Sequence, residues 1–243
     1  RTRSKITKFI IMIISELLDY GSKILKNNKI KTNQLDSELI LSNLLKKKKE
    51  NLIINSKEKV SKSTIDNFNK LITRRLKREP LAYILKQKEF WSKIFYVNRS
   101  TLIPRPETEL LCESIIKTLK NRTPYILDVG TGTGCILLSI LSELKKARGV
   151  GIDISKKAIE VAKKNSSNLE LNKRAKFFSK SFNDIYGYKF DLIVSNPPYI
   201  RTCDIKNLSD DVRKFEPKIA LDGGKDGLDV IKKVIYKTKT ILK

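Results

Sequence analysis

The segment Ser195-Asn196-Pro197-Pro198-Tyr199 comes directly after an apolar run, and its composition favours one kind of contact. Two prolines stiffen the backbone and remove two N–H donors, so the segment presents acceptors. The Asn196 side-chain oxygen and the Pro197 carbonyl can each take one hydrogen of a planar –NH2 group, with Tyr199 as an aromatic wall. That grip suits an amide or an exocyclic amine; the plainer alternative is a proline-rich turn. A second constellation is Gly130-Thr131-Gly132-Thr133-Gly134, directly after Ile126-Leu127-Asp128-Val129. Glycines at alternate positions let a backbone turn tightly and approach a ligand closely, and amides at the start of a following helix can hold polar or anionic groups. The spacing is G-x-G-x-G, not the G-x-G-x-x-G of dinucleotide sites. Asp153 ends the next apolar run, where a carboxylate can accept both hydroxyls of a ribose. The pair points to a nucleoside-containing cofactor; separately, one is also a plain turn and the other a helix cap.

Composition narrows the chemistry further. The 243 residues contain no histidine, which removes Ser-His and Cys-His nucleophile pairs and every His-dependent metal site. Cys112, Cys135 and Cys203 are odd in number and far apart, so neither a disulfide framework nor a structural zinc site is expected, and no metal. A reducing, cytoplasmic location fits that usage. Lys plus Arg is 51 against 26 for Asp plus Glu, a net charge of +25. The excess is mostly lysine spread over the whole chain, and Lys46 to Lys49 reads as a solvated loop. It implies salt-sensitive, non-specific affinity for polyanions such as ribosomal RNA without identifying a function. Phe9 to Ile14, the most apolar run, is far short of the roughly 20 residues that a membrane span needs. Ile6, Ile10, Ile13, Ile14, Leu17 and Leu18 share one face at helical spacing and predict a packed helix.

The elements that must position these groups follow from periodicity. Up to about residue 85 the pattern is helical, with helices over Asp36 to Leu45 and Ser63 to Leu76, the latter capped by Ser63. Pro80 is expected to end the helical region. The absence of glycine between Gly21 and Gly130 predicts few turns with positive φ. Glu89 to Ile103 becomes β-like, a short hairpin between two domains. Strands over Tyr125 to Val129, Gly149 to Ile154, Ala175 to Phe178 and Phe190 to Ser195 then alternate with helices over Cys135 to Leu144 and Ser155 to about Ser167. A last helix covers Leu228 to Leu242. That alternation implies a parallel α/β sheet with ligands at the carboxyl ends of its strands.

The glycine turn, the acidic strand end and the Asn-Pro-Pro-Tyr segment resemble those of S-adenosylmethionine-dependent amino-methyltransferases. Four further stretches make the chain similar to the HemK/PrmC family, the N5-glutamine methyltransferases acting on peptide chain release factors. They are Arg78-Glu79-Pro80-Leu81-Ala82-Tyr83-Ile84, Glu89-Phe90-Trp91, Leu102-Ile103-Pro104-Arg105-Pro106-Glu107-Thr108-Glu109, and Phe215-Glu216-Pro217 with Gly223-Gly224-Lys225-Asp226-Gly227-Leu228. The resemblance runs from about Arg74 to Leu228.

It implies a Rossmann-like class I methyltransferase fold of the α/β class. A small helical substrate-recognition domain would occupy 1–85, a β-hairpin linker 86–105, and an S-adenosylmethionine-binding domain 106–243 that lacks its C-terminal strands. The start at Arg1 likewise implies a missing N-terminus. By resemblance, Gly130, Thr131, Gly132, Thr133 and Gly134 cradle the methionine end of the cofactor and Asp153 holds its ribose. Ser181 and Asn196 also contact the cofactor, while Asn196, Pro197, Pro198 and Tyr199 hold the target glutamine and form the catalytic loop. Arg105, Glu107 and Glu109 border the cofactor pocket, or form a capped helix start with structural salt bridges. Lys180 and Ser181 depart from the family, which has Asp and an aromatic residue near the adenine. The implied partner is a class I release factor, with no membrane and no metal. Two other readings stand beside this one: a DNA adenine or ribosomal RNA amino-methyltransferase, and a non-catalytic RNA-binding module on a decayed scaffold.

Overall fold

The computed structural model describes residues 12–243. The chain divides into two compact units, one ending at Leu85 and the other covering Lys86–Lys243. In the first, β1 (Met12–Ile13) leads into α1 (Ile14–Asn27), followed by α2 (Asn33–Leu45), α3 (Lys49–Ile54), β2 (Lys59–Val60), α4 (Lys62–Leu76) and α5 (Leu81–Leu85). Leu17, Leu25, Ile40, Leu41, Leu52 and Phe68 form its fully buried centre. Burial of each such side chain contributes roughly 1.5–3 kcal/mol. Between α2 and α4, the Arg75 guanidinium donates to Asp36 at 2.6 Å, and both side chains are buried.

Several expectations for this unit are corrected. Ile13 is extended and pairs with Lys59 in a two-residue ladder, so the helix starts at Ile14; Ile6 and Ile10 lie outside the described residues. Ser61, not Ser63, caps α4, accepting from the Thr64 N–H at 3.2 Å. Lys49 opens α3 instead of closing a loop. Pro80 does not end the helical region, because a proline is tolerated just ahead of a new helix and α5 begins at Leu81. Positive φ is common in the glycine-free stretch: Lys29, Lys46, Arg78, Lys86, Trp91, Ser92 and Asn121 all adopt it. Lys46 is the left-handed C-cap of α2, and its N–H bonds the Asn43 carbonyl. The need to satisfy the last helical carbonyls outweighs the strain on an ordinary side chain.

The second unit opens with an antiparallel hairpin, β3 (Gln87–Phe90) and β4 (Lys93–Tyr96). Trp91 and Ser92 both take positive φ, as a two-residue primed turn requires. After α6 (Glu109–Leu119) come β5 (Tyr125–Val129), α7 (Cys135–Glu143), β6 (Arg148–Asp153), α8 (Lys156–Asn168), β7 (Ala175–Ser179), β8 (Leu192–Ser195), α9 (Asp210–Phe215) and α10 (Asp229–Ile241). The four strands from β5 onward form one parallel sheet in the order β7-β6-β5-β8. Apolar helices flank it: every residue of α7 from Cys135 to Leu141 is buried. The chain moves outward from β5 to β6 and β7, then returns to β8 on the other side of β5. This reversal opens a crevice at the carboxyl ends of β5 and β8, the expected ligand position in such sheets.

Candidate active site

A cleft of about 900 Å³ lies there. Its floor is set by register: Val129 of β5 pairs with Ile152 of β6 and with Ser195 of β8, so the strand ends finish side by side. Each strand ends in one of the groups singled out in the sequence. After β5 the backbone folds over β6, with the Gly130 and Thr131 N–H groups both donating to the Ile152 carbonyl at 2.9 Å. Gly130 and Gly132 have φ of +70° and +54°, and a Cβ at Gly130 would meet no atom within 4 Å. The space over this turn is open to a ligand.

Asp153 lines the cleft at the end of β6. Its Oδ2 accepts from Gly132 N–H at 3.0 Å and its Oδ1 from Ser155 N–H at 2.9 Å. The helix cap falls to Ser155, which accepts from Ala158 N–H. A carboxylate has about four acceptor sites, so two remain for hydroxyl groups. The open glycine turn and this half-satisfied carboxylate fit a nucleoside cofactor with a polar tail.

The Asn-Pro-Pro-Tyr loop continues β8. Ser195 Oγ donates to the Val129 carbonyl at 2.8 Å, tying its root to β5. The Asn196 side-chain nitrogen donates to Thr108 Oγ1 at 3.2 Å, and its Oδ1 has no partner among the described residues. A second loop braces this one from behind: Ile200 N–H bonds the Leu221 carbonyl, and Gly223 N–H bonds the Ile200 carbonyl. At Gly223 a Cβ would stand 2.8 Å from the Pro198 carbonyl oxygen and 2.8 Å from Tyr199 Cα, so only glycine permits the approach.

Gly130, Thr131, Gly132, Thr133, Asp153, Ser181, Asn196, Pro197 and Pro198 therefore come together around one cleft, with Arg105, Thr108 and Lys180. Two expected members do not. Gly134 lies under Leu138 and Phe177 at the start of α7 and does not line the cleft. Tyr199 does not wall it either: with its backbone held by the glycine loop, its side chain is 63% exposed. Glu107 is exposed, whereas Glu109 accepts from the hairpin's Trp91 N–H at 2.9 Å. Arg105 donates to Glu216 at 2.6 Å, and Glu216 also accepts from Ile103 N–H. The expected helix cap is absent, since no side chain caps α6, but the structural ion pair is present.

Three supporting residues had no assigned role in the sequence reading. Asn165 of α8, fully buried, accepts from Tyr96 N–H and donates to the Tyr96 and Thr133 carbonyls, fastening the hairpin to the glycine turn. Its signal was a carboxamide on the inward face that carries Ile159 and Ala162. Thr108 is the partner of Asn196. Asp128, fully buried in β5, accepts from Thr131 Oγ1 at 2.6 Å, while its Oδ1 has no partner among the described residues. Burial pushes its carboxyl up to about 7, against the pull of the Thr131 hydroxyl. Burial likewise pushes the thiol of Cys135, in the cleft lining, up to about 12, which removes it as a nucleophile.

Comparison with known proteins agrees with this geometry. The PrmC N-terminal domain matches residues 16–85, and a methyltransferase domain matches residues 120–236. The release factor glutamine methyltransferase of Buchnera aphidicola subsp. Baizongia pistaciae is 40% identical over 232 residues, covering 95% of this chain and 83% of that protein. That of Clostridium acetobutylicum is 37% identical over 236 residues, covering 96% and 83%. Matched in both domains and along most of such relatives' length, this chain belongs to the HemK/PrmC family of release factor glutamine methyltransferases.

Proposed function

We propose that the protein transfers a methyl group from S-adenosylmethionine to the side-chain nitrogen of the glutamine in the Gly-Gly-Gln loop of class I release factors, in the cytoplasm. The observation that carries this reading is Asn196, whose Oδ1 has no partner among the described residues, in one cleft lining with the glycine turn and Asp153. Gly130 to Thr133 and Asp153 would hold the cofactor, with Ser181 beside them. When bound, it supplies an electrophilic methyl carbon on a sulfonium leaving group.

An amide nitrogen is a poor nucleophile because its lone pair is delocalised into the carbonyl. Asn196 Oδ1 and the Pro197 carbonyl each accept one of its hydrogens, which moves electron density toward nitrogen and fixes its direction of approach. Orientation of this kind can contribute up to about 7–11 kcal/mol, and preset dipoles add to it. The surplus proton of the methylated nitrogen passes to water, so no histidine or thiolate base is needed. The helical unit supplies recognition of the folded release factor; a standard interface needs roughly 800 Å² per partner.

The test is incubation with labelled S-adenosylmethionine and, in turn, release factor, DNA and ribosomal RNA, followed by mass spectrometry. One added methyl group on the Gly-Gly-Gln glutamine is expected. Label on adenine or on an RNA base, with the release factor unmodified, overturns the reading in favour of a nucleic-acid amino-methyltransferase.

A further inference from the structure

The proline-rich stretch from Ile103 to Glu109 is held at both ends. Glu216, its side chain 1% exposed, takes Arg105 and the Ile103 N–H at one end. Glu109 takes the Trp91 N–H at the other. Between these anchors the turn Pro106–Thr108 closes with the Thr108 N–H on the Arg105 carbonyl at 3.0 Å. The half-buried Thr108 hydroxyl is thereby fixed in the cleft wall, and its oxygen lies 3.2 Å from Asn196 Nδ2. This is the one hydrogen bond to the Asn196 side chain among the described residues.

A carboxamide has a donor end and an acceptor end of nearly the same shape. With Thr108 on the nitrogen, the oxygen has no hydrogen-bond partner among the described residues. Without that partner the group is free to rotate about its side-chain bond, and its oxygen is no longer held where the substrate's NH2 must meet it. The backbone of the loop has its own supports, at Ser195 and Gly223, so the hydroxyl's work is confined to the side chain.

We propose that Thr108 is a positioning residue that pins the Asn196 carboxamide against rotation and so holds Asn196 in place as an acceptor for the substrate amide. The inference rests on the role given to Asn196 above. Its effect belongs in turnover, since misplacement of a reacting group by about 1 Å can cost about a hundredfold in rate.

The experiment compares Thr108→Val, Thr108→Ala and Thr108→Ser, each alone and combined with Asn196→Ala, with Asn196→Ala by itself. Methylation of intact release factor is followed together with cofactor affinity by calorimetry. Thr108→Val and Thr108→Ala are expected to lower kcat about tenfold to a hundredfold, with cofactor Kd and the KM for release factor little changed. Thr108→Ser should restore turnover, and neither apolar change should lower it further once Asn196 is Ala. Should Thr108→Val fail to fold, Thr108→Ala carries the comparison. Near-normal kcat in the apolar variants, or equal losses with and without the Asn196 side chain, overturns the proposal. Near-normal kcat in Asn196→Ala alone instead overturns the role of Asn196, a result that the series reads separately.

Discussion

Asp36 of the helical unit and Asp128 of the sheet unit are both buried carboxylates, and their surroundings are opposite. Asp36 lies between α2 and α4 against the Arg75 guanidinium at 2.6 Å, and Arg75 also donates to the Glu79 carbonyl. Asp128 lies in an inner strand of the sheet, the neutral Thr131 hydroxyl is the side chain that bonds it, and its second oxygen makes no hydrogen bond among the described residues. Ordinary residues take left-handed conformations in both units, the sheet unit at Lys86, Trp91, Ser92, Asn121 and Glu170, but not in the turn over the cleft. The helical unit places lysines and arginines there, at Lys29, Lys46 and Arg78, whereas the site turn uses Gly130, Gly132 and Gly134. A supporting unit satisfies its buried charge and tolerates strain at surface caps, where no ligand must come close. A binding unit reserves glycine for close approach and keeps a polar group short of partners beside the cleft.

Breaking the pair in the helical unit should give the largest change in stability. Arg75→Met leaves Asp36 buried without its cation, a change that typically costs about 3–5 kcal/mol. Hydrogen exchange should show the loss in α2 and α4, with β5 to β7 nearly unaffected; equal loosening of both units would break the contrast.

Asp128→Asn should act with the opposite sign and depend on pH. The folded-state value of about 7 lies above the unfolded value of about 3.9. The native protein therefore keeps a proton that the unfolded chain releases between about pH 4 and 7. Stability contributed by this group is full below that window, falls as pH rises through it, and is level above. The neutral amide removes the dependence, so the variant should gain on the parent from pH 5 to pH 8 in thermal unfolding. A constant difference across that range would show that Asp128 is already ionised in the folded protein.

Lys46→Gly should have the smallest effect. It relieves about 1–2 kcal/mol of left-handed strain and returns about 0.4–1 kcal/mol through the freer unfolded chain. A net gain of about 1 kcal/mol or less, read as slower exchange at the end of α2, is expected. Destabilisation would mean that the lysine side chain itself holds the cap.

What could be read in advance was whatever is written locally. An apolar run entering glycines, a carboxylate at the next strand end and a rigid acceptor segment after a third strand declare themselves within a few residues, and the structure gathers them at one crevice. The partners that fix their orientation are remote in the chain: Thr108 is 88 positions from Asn196, Glu216 is 113 from Ile103, and Asn165 is 69 from Tyr96. No periodicity encodes such pairs. The direction of the Tyr199 side chain was illegible for the same reason, since the glycine loop that holds its backbone lies more than twenty residues further on. The left-handed lysines are illegible for a different reason: a stretch without glycine suggests few such turns, yet helix ends demand the conformation whatever residue is available.

The pairing of Val129 with Ser195 makes the sheet itself a gauge. The glycine turn and the Asn-Pro-Pro-Tyr loop spring from adjacent strands of one parallel ladder, spaced by about 4.8 Å. That interval is fixed by backbone hydrogen bonds and is the same for any side chains. Substitutions in either loop can change what is gripped, or how tightly, while the separation of the loop roots stays constant. Lineages that diversify their targets can therefore rewrite the loops freely, because the span between the two roots is inherited with the backbone.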